Sequence, residues 1–197
     1  EALRMANERK AVLADPYSVS ERRLAELLYR AHPYRKHPLG PERGFSVTRR
    51  QALEFYRTRY VPQGSFLVAA GSFDEDLLLK YTERFSKPWR STSSPKYPGE
   101  VKEREPEVCF VTLPGKVQAD VALGRLLPTR ADPCFPALRL IEAVLGRIVL
   151  MGRLGTTFRS QRGKAYYSFS KIESFRFSSH LAIHIGIDAK SALRAIA

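Results

Sequence analysis

The sequence predicts an α+β chain: a mostly antiparallel sheet of about five strands with helices packed on one face. Three observations carry this expectation. Several segments repeat apolar residues at helical spacing behind helix-capping residues. Others alternate apolar with polar residues, or run apolar for the length of a strand. Residues 86–105, rich in proline, serine and charge, break the chain into two halves. The 197 residues are 44% hydrophobic and 27% charged, which suits one large globular domain or two small ones.

In order, Leu3, Ala6, Ala11, Val12 and Ala14 form the apolar face of a helix over residues 1–15, stopped by Pro16. Ser18 and Glu21 have capping-box spacing ahead of a helix striped by Leu24, Leu27, Leu28 and Ala31. Residues 32–45 hold three prolines and two glycines and read as a loop. Thr48 and Gln51 form a second capping box, opening a helix with Leu53, Phe55 and Tyr56 that ends at Pro62 and Gly64. Residues 66–70, FLVAA, read as a central strand. Residues 72–75 cap a helix with Leu77, Leu78, Tyr81 and Phe85 on one face. After the break, residues 107–113 and Gln118–Leu127 read as strands around a turn at Gly115. Asp132 and Pro133 open a helix with Leu138, Ile141, Leu145 and Ile148, and a shorter helix follows over residues 154–161. Residues 165–172 and 180–187 read as paired strands, and residues 188–197 begin a helix. In the second strand Leu181, Ile183, Ile185 and Ile187 alternate with His180, Ala182, His184 and Gly186, so the isoleucine face is expected to be the core.

The net charge is +13 and the sequence pI is about 10.0. Nucleic acid would require that charge to be gathered into a patch. Instead the lysines and arginines are spread along the chain, and the dense cluster over residues 30–43 is broken by three prolines. A solvated basic surface is expected, with no nucleic-acid partner. No apolar run reaches the length of a membrane span. Two cysteines, Cys109 and Cys134, do not make a disulfide framework and do not fix a redox compartment. The charged opening residues carry no leader pattern, and the chain reads as a piece of a longer protein whose compartment, bacterial periplasm or cytoplasm, stays open.

Residues 158–170, FRSQRGKAYYSFS, run from a helix end into a β-prone segment. Arg159 and Tyr166 are seven residues apart across an expected turn at Gly163. One turn can therefore aim a planar cation and a phenol at the same small volume. Upstream lie LGRLL over residues 123–127 and RADPCFPALRLIEAVLG over residues 130–146. Earlier still come HPYRKHPLG over residues 32–40 and ALEFYRTRYVPQGSFLVAAGSFDEDLLLKYTERF over residues 52–85. Together these blocks resemble pitrilysin-like zinc metallopeptidases, the insulinase and mitochondrial processing peptidase relatives. The resemblance implies that residues 1–86 are the helix-rich second half of a first peptidase-like domain and residues 87–105 a linker. Residues 106–197 would then be the first half of a second, inactive domain. It also implies that Arg159 and Tyr166 are the catalytic pair that closes over substrate.

The zinc of that family sits on H-x-x-E-H, two imidazoles one helical turn apart. This chain lacks that motif. The family's third ligand ends a pattern E-x-x-x-V-x-x-E, whereas Glu8, Val12 and Asp15 place a shorter Asp at its end. His180 and His184 share a strand face roughly 13 Å apart and would not converge on one ion, and His32 and His37 flank a proline-rich loop. The resemblance thus implies no metal ligand or cofactor in this chain, with zinc carried elsewhere in the family or by a partner subunit. The expected role is a non-zinc region, inactive alone, that binds a peptide substrate beside a homologous zinc-bearing subunit or in a homo-oligomer. A non-catalytic scaffold subunit and a basic nucleic-acid module are the competing readings. Residues 66–70 are expected to join the sheet of the second half.

Overall fold

The computed structural model describes residues 2–41, 46–87, 97–102, 105–147, 152–161 and 165–192, without the side chains of Ala2, Arg147 and residues 159–161. Two compact units emerge: Glu1–Arg43 with Pro98–Ala197, and Gly44–Tyr97.

The first unit is built on an antiparallel sheet of β1 (Gln118–Leu127), β2 (Ala165–Ser174) and β3 (Ser179–Asp188), in the order β1-β3-β2. β1 pairs with β3 end to end, from Gln118 opposite Asp188 to Leu127 opposite Ser179. β2 and β3 form a hairpin whose turn is closed by Phe175 N–H donating to Ser178 C=O at 2.8 Å. The expectation of about five strands is corrected to three among the described residues. Residues 66–70 and 107–113 are not strands; Phe66 is 89% and Phe110 73% exposed. A strand exists only where a neighbour takes up its backbone N–H and C=O groups, and apolar composition does not supply one.

α1 (Ala2–Ala14) and α2 (Pro16–Tyr29) meet at Asp15. Asp15, not Ser18, is the N-cap of α2: its carboxylate accepts from Ser18 N–H at 2.9 Å, with Pro16 in the first turn, where its missing N–H costs nothing. α2 lies across one face of the sheet. That face is lined by small residues, Ala122 and Gly124 on β1 opposite His184 and Ala182 on β3. The fit is close: a Cβ at Gly124 would come within 2.7 Å of Leu24 Cδ1.

The opposite face is covered along β2. α5 (Phe135–Glu142) runs on as a π-helical turn over Ala143–Arg147. α6 (Arg153–Gly155) runs on as another over Thr156–Gln161. Buried Glu142 ties this layer to β2: its Oε1 accepts from Ile172 N–H at 3.0 Å, and its backbone carbonyl accepts from Ser170 Oγ at 3.1 Å. Helices on both faces correct the expected one-sided layer. The core correspondingly holds Val19, Leu24 and Tyr29 of α2, Phe135 of α5, and Ala182, Ile185 and Ile187 of β3.

The second unit contains α3 (Arg49–Arg59) and α4 (Glu75–Ser86). The Thr48–Gln51 capping box is formed, with Thr48 N–H donating to Gln51 Oε1 at 2.9 Å. Within residues 72–75 it is Asp74 that caps α4, its carboxylate accepting from Leu77 N–H at 2.9 Å. Tyr56, Phe66, Tyr81 and Phe85 line an open apolar groove here. No helix among the described residues is long and apolar enough to cross a membrane.

Candidate functional site

The region around Tyr166 is built from β2 outward. Between the pairs Ala165–Ile187 and Tyr167–Gly186, β2 advances by two residues while β3 advances by one. Tyr166 is therefore the extra residue of a β-bulge, a feature that re-aims a side chain and disrupts the local ladder. β2 is an edge of the three-stranded sheet, and Tyr166 is 59% exposed. Arg159 has its backbone in the π-helical turn Thr156–Gln161; its side chain, and Gly163, lie outside the described residues.

Directly after Tyr166, Tyr167 turns under α2. Its ring crosses Gly186, where an added Cβ would come within 2.2 Å of Cε1. Its hydroxyl donates to Asp120 Oδ2 on β1 at 2.9 Å. Burial, reinforced by the Asp120 charge, pushes the Tyr167 hydroxyl well above its ordinary value, so it stays a donor. Asp120 Oδ1 lies 2.9 Å from His184 Nδ1, the geometry in which an Nδ1–H donates to a carboxylate, and also accepts from Ser20 Oγ of α2. The side chains of Asp120 and His184 are both 0% exposed. His184 is further enclosed by Tyr17, at 4.6 Å between ring centroids, and by Phe169 stacked at 5.5 Å.

One turn of sheet away, Lys171 pairs with Glu21 of α2, lies 2.9 Å from Glu173 Oε1 and donates to Tyr17 Oη at 3.2 Å. Burial acts against the charge of Lys171, but its bonds to Glu21 and Glu173 prevail and raise its pKa. Glu21 behaves conversely: burial opposes ionisation, and Lys171 outweighs it and lowers the pKa. At the hairpin end, His180 Nδ1 is 2.7 Å from Tyr29 Oη, and burial lowers its pKa.

His180 and His184 thus serve the packing of α2, each with its own partner. The face they occupy is sealed rather than open, against the expectation that the isoleucine face alone is core. His32 caps the short 3₁₀ turn Pro33–Arg35 through Tyr34 N–H at 3.2 Å, and His37 accepts from Leu39 N–H at 3.2 Å. Both cysteines are exposed and unpaired. Zinc does not fit the residues at the helix junction. Asp15 is spent as the α2 cap, accepting also from Ser18 Oγ at 2.6 Å, and Glu8 is paired with Arg4. No group of three or more metal-ligating residues occurs among the described residues.

Sequence reading did not single out Asp120, Ser20 or Tyr167. The available signal was Asp120 itself, the one acidic residue of its strand, where Asp is ordinarily depleted.

The fold recurs in solved structures. A peptidase M16 inactive domain from Pseudomonas fluorescens matches all of this chain and 50% of its own, with a TM-score of 0.82 at 19% identity. A protease from Helicobacter pylori matches 100% of this chain and 51% of its own, TM-score 0.73 at 18% identity. A chain of Complex III2 from Candida albicans matches 95% and 46%, TM-score 0.67 at 15% identity. The architecture is therefore that of the pitrilysin-like metallopeptidase fold. In sequence, the profile of the Peptidase M16 inactive domain matches residues 46–197, and the chain belongs to that family. Uncharacterized zinc proteases of Mycobacterium tuberculosis and Mycobacterium bovis are 29% identical over 163 residues, 80% of this chain. The chain spans 36% of the length of these relatives.

Proposed function

We propose that this chain is the non-zinc part of a pitrilysin-like peptidase, which holds a peptide substrate and stabilises the transition state at a zinc site carried by a partner subunit or another part of the protein. The observation that carries the reading is Tyr166: an exposed phenol on the extra residue of an edge-strand bulge, within the motif that resembles the family's. In this reading residues 1–86 and 106–197 are halves of successive peptidase-like domains joined by residues 87–105. Zinc held by the partner would supply the Lewis acid for the attacking water. The guanidinium of Arg159 holds a substrate carbonyl through its fork of donors. The Tyr166 hydroxyl donates to the oxygen on which charge develops. Commitment of Asp15 to the α2 cap supports assigning the metal elsewhere.

Tyr166→Phe in the complete peptidase tests this. Turnover should fall about 10–100-fold, the scale of losing one oxyanion donor. Unchanged turnover removes Tyr166 from the mechanism. A scaffold role is the second reading, favoured by the fold likeness to a chain of Complex III2. Retained partner activity after Arg159→Ala selects it.

A further inference from the structure

We infer that Tyr167 is a positioning residue: anchored to Asp120 across Gly186, it pins the bulge that turns Tyr166 out of the sheet. The inference rests on the proposed role of Tyr166 for its functional meaning, though not for its geometry.

A bulge can slide. Moving the extra residue by one position along β2 would send each displaced side chain to the other face. Tyr166 and Tyr167 are both tyrosines, so the local sequence does little to choose between them. What distinguishes them is the neighbouring strand. The Tyr167 ring occupies the space a side chain would fill at Gly186: a Cβ there would lie 2.2, 2.4 and 2.6 Å from its Cε1, Cζ and Cδ1. Gly186 is the sole glycine of β3, so the ring can cross the strand this closely at one position. Beyond the crossing, the hydroxyl reaches Asp120 on the far strand at 2.9 Å. Asp120 is in turn fixed by His184 at 2.9 Å and by Ser20 of α2. The ring is thus held at its middle by a missing side chain and at its tip by a buried carboxylate. With Tyr167 held inward, the extra residue is Tyr166, and its side chain faces solvent.

The test uses the full-length protein with its partner and 3-fluorotyrosine placed at position 166. Wild type should give one narrow fluorine resonance. Tyr167→Phe, which removes the anchor, and Gly186→Ala, which displaces the ring while keeping its hydroxyl, should each broaden or split it. His32→Ala, which removes the cap of the short turn beside Tyr29 at the hairpin end of the sheet, should leave it unchanged. In turnover, Tyr167→Phe should lower kcat on the order of 10-fold with KM within about twofold, as expected when a reacting group is misplaced rather than lost. The Tyr166→Phe/Tyr167→Phe pair should be no slower than Tyr166→Phe alone, because Tyr167 acts only through Tyr166. An unaltered resonance in both Tyr167→Phe and Gly186→Ala overturns the inference, as do additive losses in the double variant. Full turnover in Tyr166→Phe refutes the catalytic reading instead, and the fluorine spectra still decide whether Tyr167 sets the bulge.

Discussion

Replacing Asp120 with alanine should destabilise the first unit by about 2–5 kcal/mol, the cost of leaving its donors without their acceptor. The structure shows where that figure comes from. Asp120 accepts from three donors, Tyr167, Ser20 and His184. His184 is 0% exposed and would lose its partner with no route to water, a cost of about 1–3 kcal/mol. Tyr167 is only partly buried and recovers some solvation, while Ser20 Oγ keeps a second acceptor, the Tyr17 carbonyl at 2.9 Å. These two add about 1–2 kcal/mol together. Asp120→Asn, which preserves volume and one acceptor oxygen, should cost roughly half as much. Urea unfolding followed by circular dichroism measures both variants. With a slope of about 2 kcal/mol/M, Asp120→Ala should move the midpoint by about 1–2.5 M. A loss below about 1 kcal/mol for Asp120→Ala would refute the reasoning, because it would mean that the donors find other partners.

Acid should weaken the fold in two stages. The His180 pKa is lowered by burial, so its contribution is complete above the unfolded value of about 6.5 and is lost as pH falls below it. The lowered pKa of Glu21 acts in the same direction below about 4.3. Melting temperature against pH should show both steps, and His180→Gln should diminish the first, to which His37, its pKa also lowered by burial, contributes as well. Gly152→Ala should destabilise more than Gly124→Ala: the new Cβ would meet backbone at 2.8 Å, Gly146 Cα and Leu145 O, whereas at Gly124 it meets the movable tip of Leu24 at 2.7 Å. Equal melting temperatures would contradict that ranking. Asp15→Ala should lose about 1 kcal/mol of cap energy and leave zinc content unchanged. One tightly held zinc per chain after dialysis, lost in the variant, would overturn the assignment of Asp15 as a cap alone.

The parts readable in advance were those whose physics is local. Gln118–Leu127 alternates and has its expected bounds, and Thr48 finds Gln51 three residues away. The cap at Asp15 was also local, but Ser18 and Glu21 offered a competing box three residues on. FLVAA has every compositional mark of a strand and, among the described residues, none of the partners that make one. The face of β3 bearing His180 and His184 looked polar. It is sealed because α2 supplies Tyr29 and Ser20, while β1 supplies Asp120 as the acceptor that makes a buried imidazole affordable. No window of sequence holds those residues together. The same limit applies to the bulge: the adjacent tyrosines were visible, but the glycine and carboxylate that tell them apart lie on two other strands.

The position of α2 also has a temporal consequence. Ser20 and Asp120 are 100 residues apart, and Tyr29 and His180 are 151. During synthesis at about 5–20 residues per second, α2 emerges roughly 8–30 s before the last strand it covers. Through that interval Val19, Leu24 and Tyr29 have no seat, while the exposed aromatic residues of the second unit are already outside the ribosome. Closing loops of this length makes folding slow, because the entropy is lost before the contacts form. The helix that seals the finished sheet is therefore a demand on chaperones while the chain is being made.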